Sequence, residues 1–249
     1  MTNLTNKTAL VTGSARGLGR AIAKRYGSLG ASVIVNYSSD EENARQTVAA
    51  IEKSGATAIA VQADMSKVAD IDRLFDTALA RLSKLDIVVA NAGVEVIDQP
   101  VSDFTEADFD RLFGINTKGT LFTLQRAGKH VQDNGRIIYI GSSTTAFPLE
   151  GYGLYGSSKM APRYLVEVLA KEIGHRGVAV NSILPTTIDG AGVFSGGASA
   201  QVKEWVESFR PMKRMGTVED VANAAEYFAS DLSAFVSGQH LLLSGGAHG

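Results

Sequence analysis

The sequence predicts an α/β fold: a single domain over residues 1–249 with a seven-stranded parallel sheet and helices on both faces. Two observations support this prediction. Seven short runs rich in valine, isoleucine and leucine recur along the chain, and most of them are apolar almost throughout. Segments with helical spacing of their apolar residues separate these runs. Strands that are apolar on both faces belong to covered sheets, and the strand–helix alternation implies right-handed crossovers between parallel strands.

The predicted strands are short and spread along the whole chain. They cover residues 8–12, 32–37, 57–62, 85–90, 136–141, 178–184 and 239–244. Helical spacing is clearest in the segments EENARQTVAAIEKSG and KVADIDRLFDTALARLS. Residues 186–201 are rich in glycine, serine and threonine. Because long irregular loops in compact domains usually have a function, the sequence predicts a substrate lid over residues 186–210.

The composition excludes several classes of function. The net charge is −2, so the chain has no basic surplus for binding nucleic acid or an anionic membrane. No apolar run is long enough to span a bilayer, and the amino terminus lacks the pattern of a signal peptide. Cysteine is absent, which excludes disulfides and thiol catalysis and agrees with a cytoplasmic location. The histidines lack the spacing of metal ligands, so no metal site is expected.

Three glycines, Gly13, Gly17 and Gly19, lie between the first predicted strand and the first helix. Glycine lets the backbone adopt positive φ and lets a ligand come close, and the following helix directs its N–H groups to the same place. The pattern therefore indicates a pyrophosphate site and a Rossmann-like, doubly wound fold. A tight turn that binds nothing is the alternative. No Lys-Ser or Lys-Thr follows the GxxxGxG spacing, which argues against a nucleotide-hydrolysing P-loop.

The end of the second predicted strand bears on the choice of cofactor. Enzymes specific for NAD usually place an Asp or Glu there to bind the adenosine ribose. Here the strand ends in Asn36 and Tyr37, followed by Ser38 and Ser39, without a carboxylate at the tip. A 2′-phosphate would meet no repulsion there, and Arg16 and the serine hydroxyls could bind it. The sequence thus predicts NADP(H), with NAD(H) as the alternative.

Three acids follow these serines and could argue against NADP(H). They are Asp40, Glu41 and Glu42. Ser39 and Glu42 have the S-x-x-E spacing of a capping box, and acids in a first turn interact favourably with the helix dipole. The favoured interpretation is that these acids begin the second helix.

The stretch YGLYGSSK places Tyr155 and Lys159 four residues apart. On a helix these positions lie on one face, so a phenol and an ammonium would share a patch. Alone, such a pair could be an ordinary helix surface. A free phenol has a pKa of about 10, and a neighbouring ammonium stabilises the phenolate. The sequence therefore predicts that Lys159 lowers the pKa of Tyr155 toward the range that acid–base catalysis needs.

Taken together, these residues point to a known family. The chain resembles the short-chain dehydrogenase/reductases, in the branch whose length it shares, and the resemblance runs nearly end to end. It rests on TGSARGLG (12–19), ADMS (63–66), ANAG (90–93), Asn116 in GINTKG, Ser142 in YIGSS, Tyr155 with Lys159, RMGTVEDVANAAEYFASD (214–231) and VSGQHLLLSGG (236–246).

The resemblance implies four catalytic residues. Ser142 would hydrogen-bond the substrate carbonyl oxygen, and Tyr155 would donate the proton in reduction. Lys159 would bind the nicotinamide ribose and lower the pKa of Tyr155. Asn116 would help to hold a water-mediated proton path at Lys159. For Asn116, a polar side chain satisfied within its own helix is the alternative.

The resemblance also implies two sets of binding residues. The expected cofactor contacts are Gly13, Ser14, Arg16, Gly17, Leu18, Gly19, Tyr37, Ser38, Ser39, Asp64, Met65, Asn91, Ala92, Gly93, Tyr155, Lys159, Pro185 and Ile188. The expected substrate contacts are Val94, Thr144, Leu149, Tyr152, Phe194 and Trp205. Asp64 could instead cap the following helix, and Phe194 and Trp205 could be ordinary packing residues.

Some positions depart from the family pattern. Thr186 replaces the usual glycine after the sixth strand, and Gly190 lies near the place of a usual threonine. The nicotinamide amide is therefore assigned only to the backbone of Ile188. Pro162 lies three residues past Lys159, inside the predicted helix. Proline there loses a hydrogen bond and clashes with the carbonyl of Ser158, so we expect a local kink.

The implied activity is NADPH-dependent, reversible reduction of a ketone or keto ester to a secondary alcohol. Reduction of a 3-oxoacyl group on an acyl-carrier protein and dehydrogenation of a sugar or polyol are alternatives. Asp133 weakens the carrier-protein alternative because a basic residue would be expected there, although Arg176 could still serve. A non-catalytic dinucleotide sensor and a methyltransferase are alternatives from other classes.

The expected partners are a small-molecule carbonyl or alcohol and further copies of the chain. By the resemblance, the helices at about 103–131 and 153–175 and the carboxy-terminal strand would form the interfaces. The expected assembly is a homotetramer, with a dimer as the alternative.

Overall fold

The computed structural model describes residues 2–247 of the chain, so Met1, His248 and Gly249 of the predicted domain lie outside the described residues. Within residues 2–247 the main sheet has seven parallel strands in the order β3-β2-β1-β4-β5-β6-β9. This confirms the predicted fold class. The strands are β1 (Thr8–Val11), β2 (Ser32–Tyr37), β3 (Ala58–Gln62), β4 (Leu85–Ala90), β5 (Val131–Ile140), β6 (Ala179–Pro185) and β9 (His240–Leu243).

Helices connect the strands and cover both faces of the sheet. They are α1 (Gly17–Ser28), α2 (Glu41–Glu52), α3 (Val68–Leu82), α4 (Glu106–Leu112), α5 (Thr120–His130), α6 (Gly153–Ile173), α7 (Ala200–Phe209) and α8 (Val218–Ala229). A π-helical segment (Phe113–Gly119) joins α4 to α5 without a break. None of the helices within residues 2–247 combines the length and the apolar content that crossing a membrane would require.

The apolar residues form one core layer on each side of the sheet. On β1, Ala9 and Val11 face the layer formed with α1, α2 and α8, whereas Leu10 faces the layer formed with α3, α5 and α6. Successive strand residues point to opposite faces, so a strand between two helical layers must be apolar throughout. Each fully buried Val, Leu or Ile stabilises the fold by about 1.5–3 kcal/mol.

The fifth strand begins earlier than the sequence predicts. Val131 already pairs with Leu85, and the register then shifts before Arg136 pairs with Ile87. Asn134 lies between the two pairings with a φ of 62°, a left-handed conformation that asparagine tolerates better than most residues. β5 therefore includes an irregular stretch before Arg136, and the polar residues of that stretch are the reason why the sequence did not predict it as strand.

The segment predicted as a lid contains regular structure. β7 (Ile188–Asp189) pairs in parallel with β8 (Gly216–Thr217), and α7 lies between them in sequence. Thr186, which replaces the usual glycine, donates a hydrogen bond to the carbonyl of Leu243 at 3.2 Å. It also accepts one at 3.0 Å from the buried guanidinium of Arg210. Thr186 therefore fastens the base of this segment to the last strand of the sheet.

Candidate active site

A cleft of about 690 Å³ lies at the carboxyl ends of the strands. The strand order reverses between β1 and β4, and such a switch point is where open α/β sheets bind ligands. Most of the predicted cofactor residues line it: Gly13, Arg16, Gly17, Leu18, Tyr37, Ser38, Ser39, Asp64, Met65, Asn91, Ala92, Gly93, Tyr155 and Lys159. The volume is in the range that small-molecule and cofactor sites occupy.

The glycine turn is built as a close backbone cradle. Gly17 opens α1 with a φ of 55°, which glycine adopts without strain. A Cβ atom at Gly19 would lie 2.4 Å from the carbonyl oxygen of Gly13 and 2.6 Å from Asn91 Nδ2. Gly19 therefore permits the close approach of helix and turn without itself lining the cleft. The N–H groups at the start of α1 face the cleft and favour an anionic group there.

Ser14 requires a correction to the predicted cofactor contacts. Its side chain is fully buried and donates to the carbonyl of Val11 at 2.7 Å. Its backbone N–H donates to the carbonyl of Asn36 at 2.8 Å. Both donors of Ser14 are thus used inside the protein, so Ser14 shapes the turn and has no donor to offer a ligand.

Asn36 is a structural residue that the sequence left without a role. It is buried on β2, and its Oδ1 accepts from the N–H of Gly13 at 2.9 Å. Its Nδ2 donates to the carbonyl of Ala63 at 3.1 Å. Asn36 therefore joins the glycine turn to the end of β3. A polar residue within an otherwise apolar strand was the available signal.

The two arginines near the glycine turn have different surroundings. Arg20 donates to the carbonyl of Ala15 at 2.8 Å and to Thr47 Oγ1 at 2.9 Å, which ties the turn to α2. Arg16 is exposed at the cleft, and its side chain forms no hydrogen bond or ion pair with residues 2–247. Arg16 is thus the guanidinium that can reach an anion at the tip of β2.

The acids after β2 begin a helix, as predicted, but the cap differs by one residue. Asp40, not Ser39, is the N-cap of α2, and its side chain accepts from the N–H of Asn43. Hydrogen bonds from Asn43 hold the pKa of Asp40 below its usual range, and the charges of Arg16 and Arg20 act in the same direction. Asp40 lines the cleft beside Ser38 and Ser39. Its carboxylate therefore remains ionised at the edge of the predicted phosphate site.

Asp64 lies at the end of β3, where the resemblance placed the adenine. Its Oδ1 accepts from the N–H and the hydroxyl of Ser66, at 3.0 and 2.7 Å. The N–H of Ser66 is the main cause that holds the pKa of Asp64 below its usual value. The first residue of α3 is Val68, and its N-cap is Lys67. Asp64 thus forms a local turn at the cleft and does not cap the helix.

Tyr155 and Lys159 line the inner end of the cleft, and Ser142, which is not among the lining residues, directly follows Gly141, which is. Ser142 follows β5, and the other two residues lie one turn apart on α6. All three are buried, with Tyr155 7% exposed and Lys159 4% exposed. The side chain of Ser142 acts to lower the pKa of Tyr155, so the two hydroxyl groups lie close together. Lys159 Nζ lies 5.8 Å from the centre of the Tyr155 ring and donates to the carbonyl of Ile140 at 3.3 Å.

The pKa of Tyr155 is raised in this structure and not lowered as predicted, and Lys159 is not among the causes of the shift. Burial raises the pKa of Tyr155 well above its ordinary value, and the negative charge of Glu95 raises it further. Burial also lowers the pKa of Lys159 itself, to about 8. Desolvation disfavours the charged form of each group and is the largest cause of both shifts. Tyr155 therefore keeps its proton at neutral pH, which is the form that a proton donor needs.

Glu95 is the acidic residue that sequence reasoning missed in this site. It lies two residues past Gly93 and lines the cleft together with Tyr155 and Lys159. Its Oε2 accepts from the backbone N–H of Val193 at 3.0 Å, so it contacts the segment predicted as a lid. An acid two residues after the ANAG motif was the signal in the sequence.

Asn116 is satisfied across the site and not within its own helix. It is fully buried in the π-helical segment. Its Oδ1 accepts from the N–H of Val94 at 2.9 Å, and its Nδ2 donates to the Val94 carbonyl at 2.8 Å and to Ser158 Oγ at 2.9 Å. A Cβ atom at Gly93 would lie 2.9 Å from Lys159 Nζ and 3.1 Å from Asn116 Oδ1, so both atoms face Gly93. π-Helical turns of this kind are frequent at functional sites.

Pro162 leaves one backbone carbonyl of α6 without its usual donor, and a residue of the same π-helical segment provides the donor instead. The helix runs without interruption from Gly153 to Ile173, although Pro162 has no N–H to donate to the carbonyl of Ser158. The hydroxyl of Thr117 donates to that carbonyl at 2.8 Å. Thr117 and Asn116 thus hold the π-helical segment against α6 at the residue that precedes Lys159.

This arrangement predicts a coupling between Thr117 and Pro162. Thr117→Val leaves the buried Ser158 carbonyl without its donor, so we expect the free energy of unfolding to fall by about 1–3 kcal/mol. In a Pro162→Ala background, the restored N–H at position 162 can bond that carbonyl, and the same substitution should cost less. Urea unfolding of the wild type, both single variants and the double variant measures the coupling.

A matched control for this prediction is Thr123→Val. The hydroxyl of Thr123 donates to the carbonyl of Gly119 at 2.8 Å, within one turn of its own helical segment. Thr123→Val should lower the free energy of unfolding by the same amount whether residue 162 is proline or alanine. Equal costs of Thr117→Val in the two backgrounds would contradict the proposed link.

The predicted substrate residues divide into two groups. Val94 lines the cleft, Tyr152 packs with Tyr155 in a small apolar cluster, and Thr144 Oγ1 donates to Ser142 Oγ at 3.0 Å. Leu149, Phe194 and Trp205 are not among the residues that line the cleft. Trp205 is 64% exposed on α7 and stacks edge-on against Phe209. The further lining residues include Glu95, Arg111 and Ile115, which had no predicted role, and Val193 and Ser195, which lie in the predicted lid.

Pro185 and Ile188 also lie outside the lining of the cleft. Both are buried, Pro185 at the end of β6 and Ile188 in β7. Over the described range 2–247, no group of three or more His, Asp or Glu side chains is arranged to hold a metal ion.

Known proteins resemble this chain over nearly its whole length. The family model described as enoyl-(acyl carrier protein) reductase matches residues 13–248. The hydroxynaphthalene reductase-like protein Arp2 of Metarhizium brunneum (strain ARSEF 3297) is 36% identical over 257 residues, which cover 98% of this chain and 96% of that protein.

Two solved structures have closely similar folds. One is the promiscuous reductase LugOII, which catalyses keto-reduction at C1 during lugdunomycin biosynthesis (TM-score 0.90, 36% identity, 98% of this chain and 99% of that chain). The other is the angucycline C-6 ketoreductase LanV with bound NADP (TM-score 0.90, 33% identity, 98% of this chain and 96% of that chain).

Proposed function

Because the chain belongs to the short-chain dehydrogenase/reductase family, whose members are oxidoreductases that use NAD(P), we propose that it reduces a ketone to a secondary alcohol with NADPH. One observation carries the proposal. Tyr155 and Lys159 line the inner end of a cleft whose outer part is a glycine turn at a helix N-terminus, and Ser142 lies beside Tyr155. A dinucleotide-binding sensor would need the outer part alone.

The residues of the cleft fit a nicotinamide dinucleotide. The turn at Gly13–Gly19 and the N-terminus of α1 would hold the pyrophosphate, Asp64 and Met65 would flank the adenine, and Lys159 would bind the nicotinamide ribose. When bound, the reduced nicotinamide supplies the hydride. The protein contributes the proton and the geometry.

The side chains at the inner end can then complete the reduction. The hydroxyl of Ser142 donates a hydrogen bond to the carbonyl oxygen and stabilises the negative charge that develops there. Tyr155, which burial keeps protonated, transfers its phenolic proton to the forming alkoxide. Lys159, whose pKa is lowered to about 8, can then donate a proton to Tyr155 near neutral pH and restore its hydroxyl. We propose that Asn116 positions Lys159, because its side chain holds the loop at Val94 to Ser158, the residue before Lys159.

The preference for NADPH follows from the tip of β2. Arg16 is exposed there beside Ser38 and Ser39, with no partner among residues 2–247. Asp40 lies at the same edge, but hydrogen bonds from Asn43 engage its carboxylate. A 2′-phosphate would therefore pair with Arg16, and the ribose hydroxyl of NADH would gain no equivalent ion pair.

The cofactor preference can be tested with Arg16→Gln. We expect kcat/KM for NADPH to fall about 10-fold to 100-fold, the effect of one charge-assisted hydrogen bond, while the value for NADH stays essentially unchanged. Initial rates of cofactor oxidation with an activated keto ester measure both values. Arg45→Gln is the control, because Arg45 is exposed and pairs with Glu41 on α2. Equal losses with both cofactors, or a wild-type preference for NADH, would contradict the proposed role of Arg16.

The contacts of Arg176 favour a free ketone over an acyl-carrier-protein substrate. Its guanidinium pairs with Asp133 at 2.8 Å and donates to the carbonyls of Gly128 and Val131. The arginine that the sequence left available to an acidic carrier is thus engaged within the chain. We therefore place a free ketone or keto ester first.

We also propose a cytoplasmic homo-oligomer, most simply a tetramer. Large apolar side chains are exposed on the helices α4, α5 and α6: Phe109, Leu121, Met160 and Tyr164. Phe235 and Leu241 are exposed near the carboxy-terminal strand. Two apolar surfaces on different sides of a subunit suit an assembly with two kinds of interface. A sedimentation mass of one chain would contradict the proposal.

A further inference from the structure

Glu95 places a carboxylate beside the proposed proton donor. It lies in the loop after β4 and lines the cleft together with Gly141, Ile115, Tyr155 and Lys159. Its negative charge raises the pKa of both Tyr155 and Lys159, so the carboxylate lies close to both groups. The pKa of Tyr152, the N-cap of α6, is raised by the same charge. The carboxylate therefore faces the position where a substrate carbonyl would meet Tyr155.

The hydrogen-bonding capacity of this carboxylate is largely unused. Within residues 2–247, one hydrogen-bond donor outside the catalytic tyrosine contacts it, the backbone N–H of Val193 at 3.0 Å from Oε2. No Lys, Arg or His among those residues forms an ion pair with it. Arg111, on the rim of the cleft, donates at 3.5 Å to the backbone carbonyl of Glu95 and not to its carboxylate. A carboxylate can accept about four hydrogen bonds, so Oε1 can accept one from a ligand.

We propose that Glu95 selects ketones that carry a hydroxyl group on the first or second carbon from the carbonyl. This inference rests on the proposed function, because the carbonyl is placed by its hydrogen bond from Tyr155. A hydroxyl at that distance from the carbonyl oxygen can donate to Glu95 while Tyr155 and Ser142 hold the oxygen. Lys159 shares the inner end of the cleft, so a neutral hydroxyl suits the site better than a second ammonium.

The physical basis for selection is the cost of leaving Glu95 unpaired. A substrate without a donor displaces water from the carboxylate and offers no replacement for it. Leaving a buried acceptor without a partner costs more free energy than a satisfied hydrogen bond contributes, and this cost is larger when the acceptor is charged. Sites built to bind a substrate hydroxyl therefore reject analogues that lack it.

The test compares matched ketones in the wild type and in Glu95→Gln. The probes are 2-hydroxyacetophenone, its methyl ether and acetophenone, together with 4-hydroxybutan-2-one and its methyl ether. We expect the wild type to prefer the hydroxy ketone of at least one set by about 10-fold or more in kcat/KM, and Glu95→Gln to lose most of that preference. Glutamine has nearly the same shape as glutamate, so a change in the ratio reports the charge and not the space available.

The controls separate this inference from other effects of Glu95. Loosening of the segment at Val193 would act on every ketone equally and would cancel in the ratio. Glu150→Gln, at an exposed acid outside the lining of the cleft, should keep the wild-type ratio. NADPH dissociation constants from fluorescence titration should be similar in all variants.

Two results would overturn the inference, and they differ. Turnover with the same hydroxy preference in the wild type and Glu95→Gln, or with no preference in either, would refute the role of Glu95 and leave the proposed function standing. Absence of NADPH oxidation with every ketone in the wild type would refute the proposed function, and the inference with it.

Discussion

Tyr155→Phe should abolish most ketone reduction while NADPH binding is retained. The substitution removes one hydroxyl from a side chain that is 7% exposed and otherwise packs with Leu112 and Leu154. Phenylalanine fills the same space, so the fold and the cleft should persist. The forming alkoxide would lose its proton donor, and positioned acid–base groups contribute about 10²-fold to 10⁴-fold to rate. We expect kcat to fall by that factor.

Tyr164→Phe is the matched control for this experiment. Tyr164 lies on the same helix but is 66% exposed and does not line the cleft. Initial rates of NADPH oxidation and fluorescence titration of NADPH should be measured for both variants. A Tyr155→Phe enzyme that keeps wild-type turnover would show that the proton comes from another group. Loss of NADPH binding in the same variant would leave a structural defect as the cause.

Gly19→Ala should disrupt both the stability of the protein and its affinity for NADPH. The new Cβ atom would lie 2.4 Å from the carbonyl oxygen of Gly13 and 2.8 Å from the Cα atom of Ser14. These are backbone atoms of a turn that Asn36 and Asn91 hold by hydrogen bonds, so the turn must open. Overpacking of this kind costs about 1–3 kcal/mol of stability. A comparable loss in the pyrophosphate cradle would weaken NADPH binding about 10-fold to 100-fold.

The control for this substitution is Gly174→Ala. Gly174 follows α6 with a φ of −58°, and a Cβ atom there would meet no heavy atom within 4 Å. Urea unfolding and NADPH titration should both give values close to those of the wild type for Gly174→Ala. Gly19→Ala with wild-type NADPH affinity would contradict the assignment of the turn as the pyrophosphate site.

The fold was predictable because its main signals are local. The seven apolar runs correspond to the seven strands of the sheet, since burial on both faces requires apolar side chains at successive positions. The prediction failed in detail where polar residues take part in regular structure. The start of β5 was not predicted because the sequence QDNG follows Val131. β7 was not predicted because it lies in a glycine-rich segment and pairs with β8, which is distant in sequence.

Most of the predicted cofactor residues line one cleft, together with Tyr155 and Lys159, and Ser142 lies beside Tyr155. Their roles in binding and catalysis stay predictions. Ser14 was predicted with them, yet its donors point inward. Glu95, Thr117 and Asn36 were missed because their partners lie far away in sequence: Val193, Ser158 and Gly13.

Residue types at short, regular spacings are enough to predict the sheet, the glycine turn and the position of a tyrosine and a lysine on one helix face. The behaviour of those groups depends on contacts between residues that are distant in the chain. Burial at the junction of β4, β5 and α6 removes water from Tyr155 and Lys159, and this desolvation sets the pKa of each in the direction opposite to simple attraction. The same folding brings Glu95 to Tyr155 and Thr117 to the carbonyl that Pro162 leaves open.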